Sequence, residues 1–74
     1  MNAASKYSSQ LNEVAVKVRE FRLKRGLTQQ ELAEISQVDR KTVNRIENAS
    51  YSITLTTLFA LADALEVKPS DLVD

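Results

Sequence analysis

The chain has 74 residues, with 10 Lys+Arg against 10 Asp+Glu, no Cys, no His, and a single Gly and a single Pro. That length makes one small domain. The missing Cys exclude disulfide and thiolate chemistry, the missing His remove the usual general base and the commonest metal ligand, and one Gly excludes a glycine-rich phosphate loop. No apolar run approaches the ~20 residues of a membrane span, and Met1–Gln10 has neither the charged nor the apolar region of a signal peptide. The expectation is a soluble cytoplasmic domain that binds a partner and carries no cofactor, metal or catalytic site. A net charge of zero argues, at first sight, against nucleic acid.

In chain order, residues 1–9 read as a flexible N-terminal arm. Leu11, Val14, Val18 and Phe21 recur at three- and four-residue steps, which predicts a first helix over about 10–25 with Ser8 or Ser9 as its cap. Lys24 and Arg25 give it a basic last turn, and Gly26 stops it. Thr28-Gln29-Gln30-Glu31 is a capping box opening a second helix, about 29–36, that buries Leu32 and Ala33. After a short turn at Gln37-Val38, Asp39 is placed to cap a third helix, about 40–48, with Val43 and Ile46 inward. Asn48–Ile53 forms a loop, and Thr54 caps a fourth helix, about 55–65, with the stripe Leu58, Leu61, Ala62 and Leu65. Pro69 opens a short fifth helix, about 69–73. Nothing alternates with period two long enough to argue a strand, so the fold class is all-α with five helices.

The segment 28–47 holds two short helices joined by a tight turn. The second of them puts Val43 and Ile46 on one side and Arg40, Lys41, Thr42, Asn44 and Arg45 on the other. A helix in the DNA major groove needs such a face: cations to meet phosphates, and amide and guanidinium groups to meet base edges. A solvated helix surface has the same composition, so the face alone does not decide between the two. Asp39 could accept from a cytosine amino group, although capping suits its position better.

The joint pattern is more specific. Arg19-x-x-Arg22, Gly26-Leu27-Thr28-Gln29-x-Glu31-Leu32-Ala33, Val38, Val43-x-x-Ile46-Glu47-Asn48, and Leu58 with Leu61-Ala62-x-x-Leu65 resemble the Cro/C1-type (XRE) helix-turn-helix family over about residues 18–72. The resemblance implies a five-helix repressor-type domain that binds double-stranded operator DNA as a symmetric homodimer. It assigns Gln29 to phosphate contact and to support of the recognition helix. Arg40, Lys41, Asn44 and Arg45 take the base- and phosphate-facing positions, and Thr42 lies nearer the backbone. Arg22 and Glu47 match a largely buried structural ion pair. The helix 4–5 region matches the family's dimer contact, and Phe59, Val67, Leu72 and Val73 are the candidates for it. The chain departs from the pattern where the family often has Gly, at Gln37 and Ala49, and where its loop often has a cation. Here that loop reads Ser50-Tyr51-Ser52-Ile53, whose hydroxyls are candidate phosphate donors in place of the cation.

The zero net charge is unevenly distributed. Residues 17–45 carry eight cations against four anions, a sum of +4, while residues 46–74 carry one against five, a sum of −4. Such a dipolar chain presents one face to phosphate and turns the other away. The functional expectation is therefore a sequence-specific transcriptional regulator, by default a repressor, of bacterial or phage origin. It would need no small-molecule ligand, and its control would come from its own concentration or from a regulatory protein partner. The competing expectation is a protein-interaction or antitoxin-type module that uses the same fold with little DNA binding.

Overall fold

A computed structural model describes residues 3–50 and 52–74. Its elements are α1 (Ala3–Lys6), α2 (Ser8–Lys24), α3 (Gln29–Ser36), α4 (Arg40–Glu47), α5 (Leu55–Leu65) and α6 (Pro69–Val73), with no strand among the described residues. The five expected helices are α2 to α6. The additional turn α1 lies where an arm was expected. It runs on through Tyr7, whose N–H donates to Ala3 O at 3.1 Å and whose carbonyl accepts from Leu11 N–H at 3.0 Å. Neither Ser8 nor Ser9 therefore caps α2; the position before it is Tyr7, with no side-chain cap.

The core lies where α2 to α6 meet. Val18, Leu32, Ala33, Val43, Ile46, Leu58, Leu61, Ala62, Ala64, Leu65 and Leu72 are buried together, with Val14, Phe21, Val38, Ile53 and Val67 packed around them. Each element contributes a face of helical period: Leu32 and Ala33 from α3, Val43 and Ile46 from α4, and Leu58, Leu61, Ala62 and Leu65 from α5. On α2 the buried positions are Ala15, Val18 and Arg22, so the stripe is rotated from the expected one, and Leu11, Val14 and Phe21 lie along its margin. α6 packs on α2 and α5. Leu72, expected at a dimer interface, is fully buried inside the domain and cannot meet a partner. No helix among the described residues is long and apolar enough to cross a membrane.

Caps define the helix ends. The Thr28 hydroxyl accepts from Glu31 N–H at 3.0 Å while the Glu31 carboxylate accepts from Thr28 N–H at 2.8 Å, the reciprocal box expected there. Thr54 caps α5 by accepting from Thr57 N–H at 3.2 Å, and Asp71 accepts from Lys68 N–H at 2.9 Å beside Pro69. Asp39 occupies the position before α4, but its side chain makes no cap hydrogen bond. Gly26, Gln37, Ala49 and Glu66 follow α2, α3, α4 and α5 with φ of 70°, 59°, 56° and 60°. After each, a backbone N–H reaches back five residues: Leu27 to Arg22, Val38 to Ala33, Ser50 to Arg45 and Val67 to Ala62, at 2.9–3.1 Å.

Candidate nucleic-acid interface

α4 is held to the domain by one face and open on the other. Val43 and Ile46 are buried, and Thr42 and Glu47 flank them half-buried. Arg40, Lys41, Asn44, Arg45 and Asn48 are exposed. Thr42 lies toward α5, sharing a shallow recess with Thr56 and Thr57. Asn44 lies toward α3, within hydrogen-bonding distance of Gln29. The exposed strip between these flanks carries Lys41 and Arg45, with Arg40 at the leading end, and α3 crosses beside it. Arg40, Lys41, Asn44 and Arg45 are therefore exposed together on α4, and Gln29 at the start of α3 adjoins them through Asn44.

The turn that sets α4 against α3 is built locally. Gln37 adopts the left-handed conformation expected of a position where Gly is common. The Ser36 hydroxyl donates to Leu32 O at 2.7 Å and accepts from Val38 N–H at 3.3 Å, a second contact for an amide that also donates to Ala33 O.

Beneath the recognition face lies the expected ion pair. Arg22 Nε donates to Glu47 Oε2 at 2.7 Å and Arg22 Nη2 donates to Glu47 Oε1 at 2.9 Å, a bidentate fork; the two side chains are 9% and 3% exposed. The third arm, Nη1, donates to Leu27 O at 2.7 Å, which ties down the α2–α3 connection. The hydrogen-bonded Glu47 carboxylate holds the Arg22 pKa above the ordinary guanidinium value, outweighing the opposing effect of burial. From this pair a row of amides runs to the surface. Gln29 Nε2 donates to Glu47 Oε1 at 3.1 Å, Asn44 Nδ2 to Gln29 Oε1 at 3.2 Å, and Asn48 Nδ2 to Asn44 Oδ1 at 3.2 Å. The expectation of Gln29 as a support for α4 has its geometry here. The role of Asn48 was not anticipated; its spacing of four from Asn44 was the available signal.

Other expected residues lie elsewhere. The Ser50 hydroxyl donates to Arg45 O at 3.2 Å and its N–H to the same carbonyl at 2.9 Å, so Ser50 closes the end of α4. Both of its donors are thus engaged by the end of α4, while the residue itself stays exposed. Ser52 is exposed beside Ala3, Tyr7, Leu11 and Ile53. Tyr51, the third candidate phosphate donor, lies outside the described residues. Arg25 turns to the C-terminal end of α5, donating to Ala64 O and pairing with Glu66 at 3.3 Å. Of the interface candidates, Phe59 and Val73 are 54% and 52% exposed and Val67 is half-buried against the core.

Two short helices joined by a tight turn, the second with a cationic outer face, make up a helix-turn-helix DNA-binding fold. A helix-turn-helix family model matches residues 18–72. The chain belongs to that family, of the Cro/C1 (XRE) type, whose members are DNA-binding transcriptional regulators. It is 36% identical over 56 residues to an HTH-type transcriptional regulator of Archaeoglobus fulgidus, a match covering 76% of this chain and 80% of that one. It is 40% identical over 52 residues to control protein C.SmaI of Serratia marcescens, covering 70% of this chain and 62% of that one. The crystal structure of the restriction-modification controller protein C.AhdI from Aeromonas hydrophila is similar with a TM-score of 0.84 at 33% identity, over 86% of this chain and 97% of that one.

Proposed function

We propose that the protein is a sequence-specific regulator that inserts α4 into the major groove of a pseudo-palindromic operator as a homodimer, and that its default action is repression in the bacterial cytoplasm. The observation that carries this reading is the division of α4, with Val43 and Ile46 sealed in the core while Arg40, Lys41, Asn44 and Arg45 stand exposed together. Arg40 and Lys41, at the N-terminal end of α4, meet base edges; Arg45 and Thr42 meet the flanking phosphates, with the backbone N–H of Gln29, at the start of α3, as a further phosphate donor. The named controllers C.SmaI and C.AhdI support a role in setting the expression of a restriction–modification system or a similarly timed gene pair. In a two-fold dimer the two α4 helices would lie one helical turn apart, about 34 Å. Leu55, Phe59 and Val73, all more than half exposed, are the apolar surface offered for that contact.

The test is duplex selection from a random pool, followed by anisotropy titration of the selected duplex between ~50 and ~200 mM salt. A steep loss of affinity with salt, on the order of tenfold or more, is expected from displaced counterions. Arg40→Ala and Lys41→Ala should each cost about 1–3 kcal/mol and relax preference at particular base pairs. Binding that is absent, or indifferent to salt, would support the interaction-module reading instead.

A further inference from the structure

The row of amides leading out from Glu47 has a direction. Glu47 is acceptor-only when ionised, and inside the domain both of its oxygens accept from the Arg22 guanidinium. Gln29 must therefore turn its NH2 inward, because the reverse orientation would set two oxygens against each other at 3.1 Å. Its carbonyl then faces outward and can only accept. Asn44 must meet that oxygen with its own NH2, at 3.2 Å, which turns Asn44 Oδ1 away from α3, where it accepts from Asn48 at 3.2 Å. A primary amide has two N–H donors and two carbonyl lone pairs. The row uses one of each on Asn44 and leaves one donor and one acceptor, in fixed order, on an exposed residue of the recognition helix.

From this geometry we infer that Asn44 is a specificity-determining residue for an adenine, and that Gln29 positions it by transmitting the polarity of the Glu47 carboxylate. The inference rests on the DNA-binding reading above. Adenine presents an acceptor (N7) beside a donor (N6-H2) in the major groove, the complement of one amide edge; guanine presents two acceptors (N7 and O6). An amide free to rotate could turn its NH2 toward guanine. With its polarity set, Asn44 would hold an oxygen against guanine O6. The same constraint decides on which side of Asn44 the adenine amino group lies, so it fixes base identity and orientation together.

Two measurements test this. In the free protein, Gln29→Met keeps the length and partial burial of the side chain but removes both amide links. The Asn44 Nδ2H2 signals in a 1H–15N spectrum should shift and exchange faster with solvent, while backbone amides of α3 and α4 hold their positions. In binding, the wild-type protein should prefer its selected duplex over one with the Asn44-dependent adenine pair replaced by guanine, by roughly 5- to 150-fold. That pair is identified as the preference lost in Asn44→Ala. Gln29→Met should reduce the same ratio, and the double variant should discriminate no less than Asn44→Ala alone. The inference is overturned if Asn44→Ala retains every base preference, if the Asn44 amide signals ignore Gln29→Met, or if Gln29→Met weakens both duplexes equally and adds independently to Asn44→Ala. Each of these leaves DNA binding intact. Failure of the wild-type protein to bind any duplex in a salt-dependent way would remove the DNA reading itself.

Discussion

Glu47 serves two surfaces of the molecule from one carboxylate. Inward it neutralises Arg22, the one charged residue among the buried set, and through Arg22 it holds the Leu27 carbonyl at the α2–α3 connection. Outward it aligns Gln29 at the start of α3. Removing one member of a pair this enclosed leaves the other as an uncompensated internal charge. Glu47→Ala should therefore destabilise by ~3–5 kcal/mol, a large part of the ~5–15 kcal/mol that holds small domains folded, as read from urea unfolding at neutral pH. Replacing both, as Arg22→Met with Glu47→Leu, should recover most of that loss, because an apolar pair of similar volume avoids desolvating two ions. It should not recover base discrimination, since Gln29 then has no carboxylate to orient it. Recovery of stability and discrimination together would separate the ion pair from the recognition face.

At the scale of the helix, the ends carry more of the specification than the middles. α2, α3, α4 and α5 all stop on a residue of positive φ followed by a hydrogen bond to the carbonyl five back, yet Gly occupies that place once. Gln37, Ala49 and Glu66 bear the left-handed cost that Gly26 avoids. Ala49→Gly should therefore raise stability by about 0.5–1 kcal/mol, the relief being partly offset by the greater freedom of Gly in the unfolded chain. A rise of roughly 3–6 °C in Tm follows for a domain of this size. The reciprocal box at Thr28 makes a pH prediction. Its hydrogen bonds from the Thr28 backbone and hydroxyl lower the Glu31 pKa, so the ionised form is favoured by folding. The contribution is present above the unfolded pKa and is lost as pH falls through the lower folded one. The stability gap between wild type and Glu31→Gln should therefore close on acidification; a gap that widens instead would contradict the box. These ends differ in how far the sequence announces them. Thr28-x-x-Glu31, Thr54, Pro69 and Gly26 are chemical signals tied to one local geometry. Gln37 and Ala49 are visible only against a pattern that favours Gly. Glu66 carries no such mark, and the clue to it is the apolar Val67 that follows and returns to the core, as Val38 does after its own turn.

Across the whole molecule, 36 × 23 × 19 Å in extent, two of the eight cations counted in residues 17–45 are paired with acids away from the exposed face of α4. Arg22 is consumed inside and Arg25 is paired with Glu66 at the end of α5. Of the six others, Arg40, Lys41 and Arg45 stand exposed on α4 while Lys17, Arg19 and Lys24 lie along α2; under the proposed reading this modest field makes site choice depend on base contacts and on a second protomer. The surface proposed for that protomer was the least legible part of the sequence. Five residues of α6 are too few for periodicity to show which of Leu72 and Val73 faces inward, and packing on α2 and α5 buries the first and leaves the second 52% exposed. On α5, Leu55 and Phe59 lie four apart on one side, 69% and 54% exposed, away from the Leu58–Leu61–Leu65 stripe. An aspartate on this surface tests it without touching the core. Phe59→Asp should leave protomer stability within about 0.5 kcal/mol while shifting sedimentation at micromolar concentration from dimer to monomer. Affinity for a duplex with two half-sites should fall by roughly 10²-fold or more as the tethered second contact is lost, with little change on a single half-site. The two duplexes distinguish the explanations: equal loss on both would mean that Phe59 acts through the fold or through DNA repulsion, whereas loss confined to the paired site assigns it to the contact between protomers.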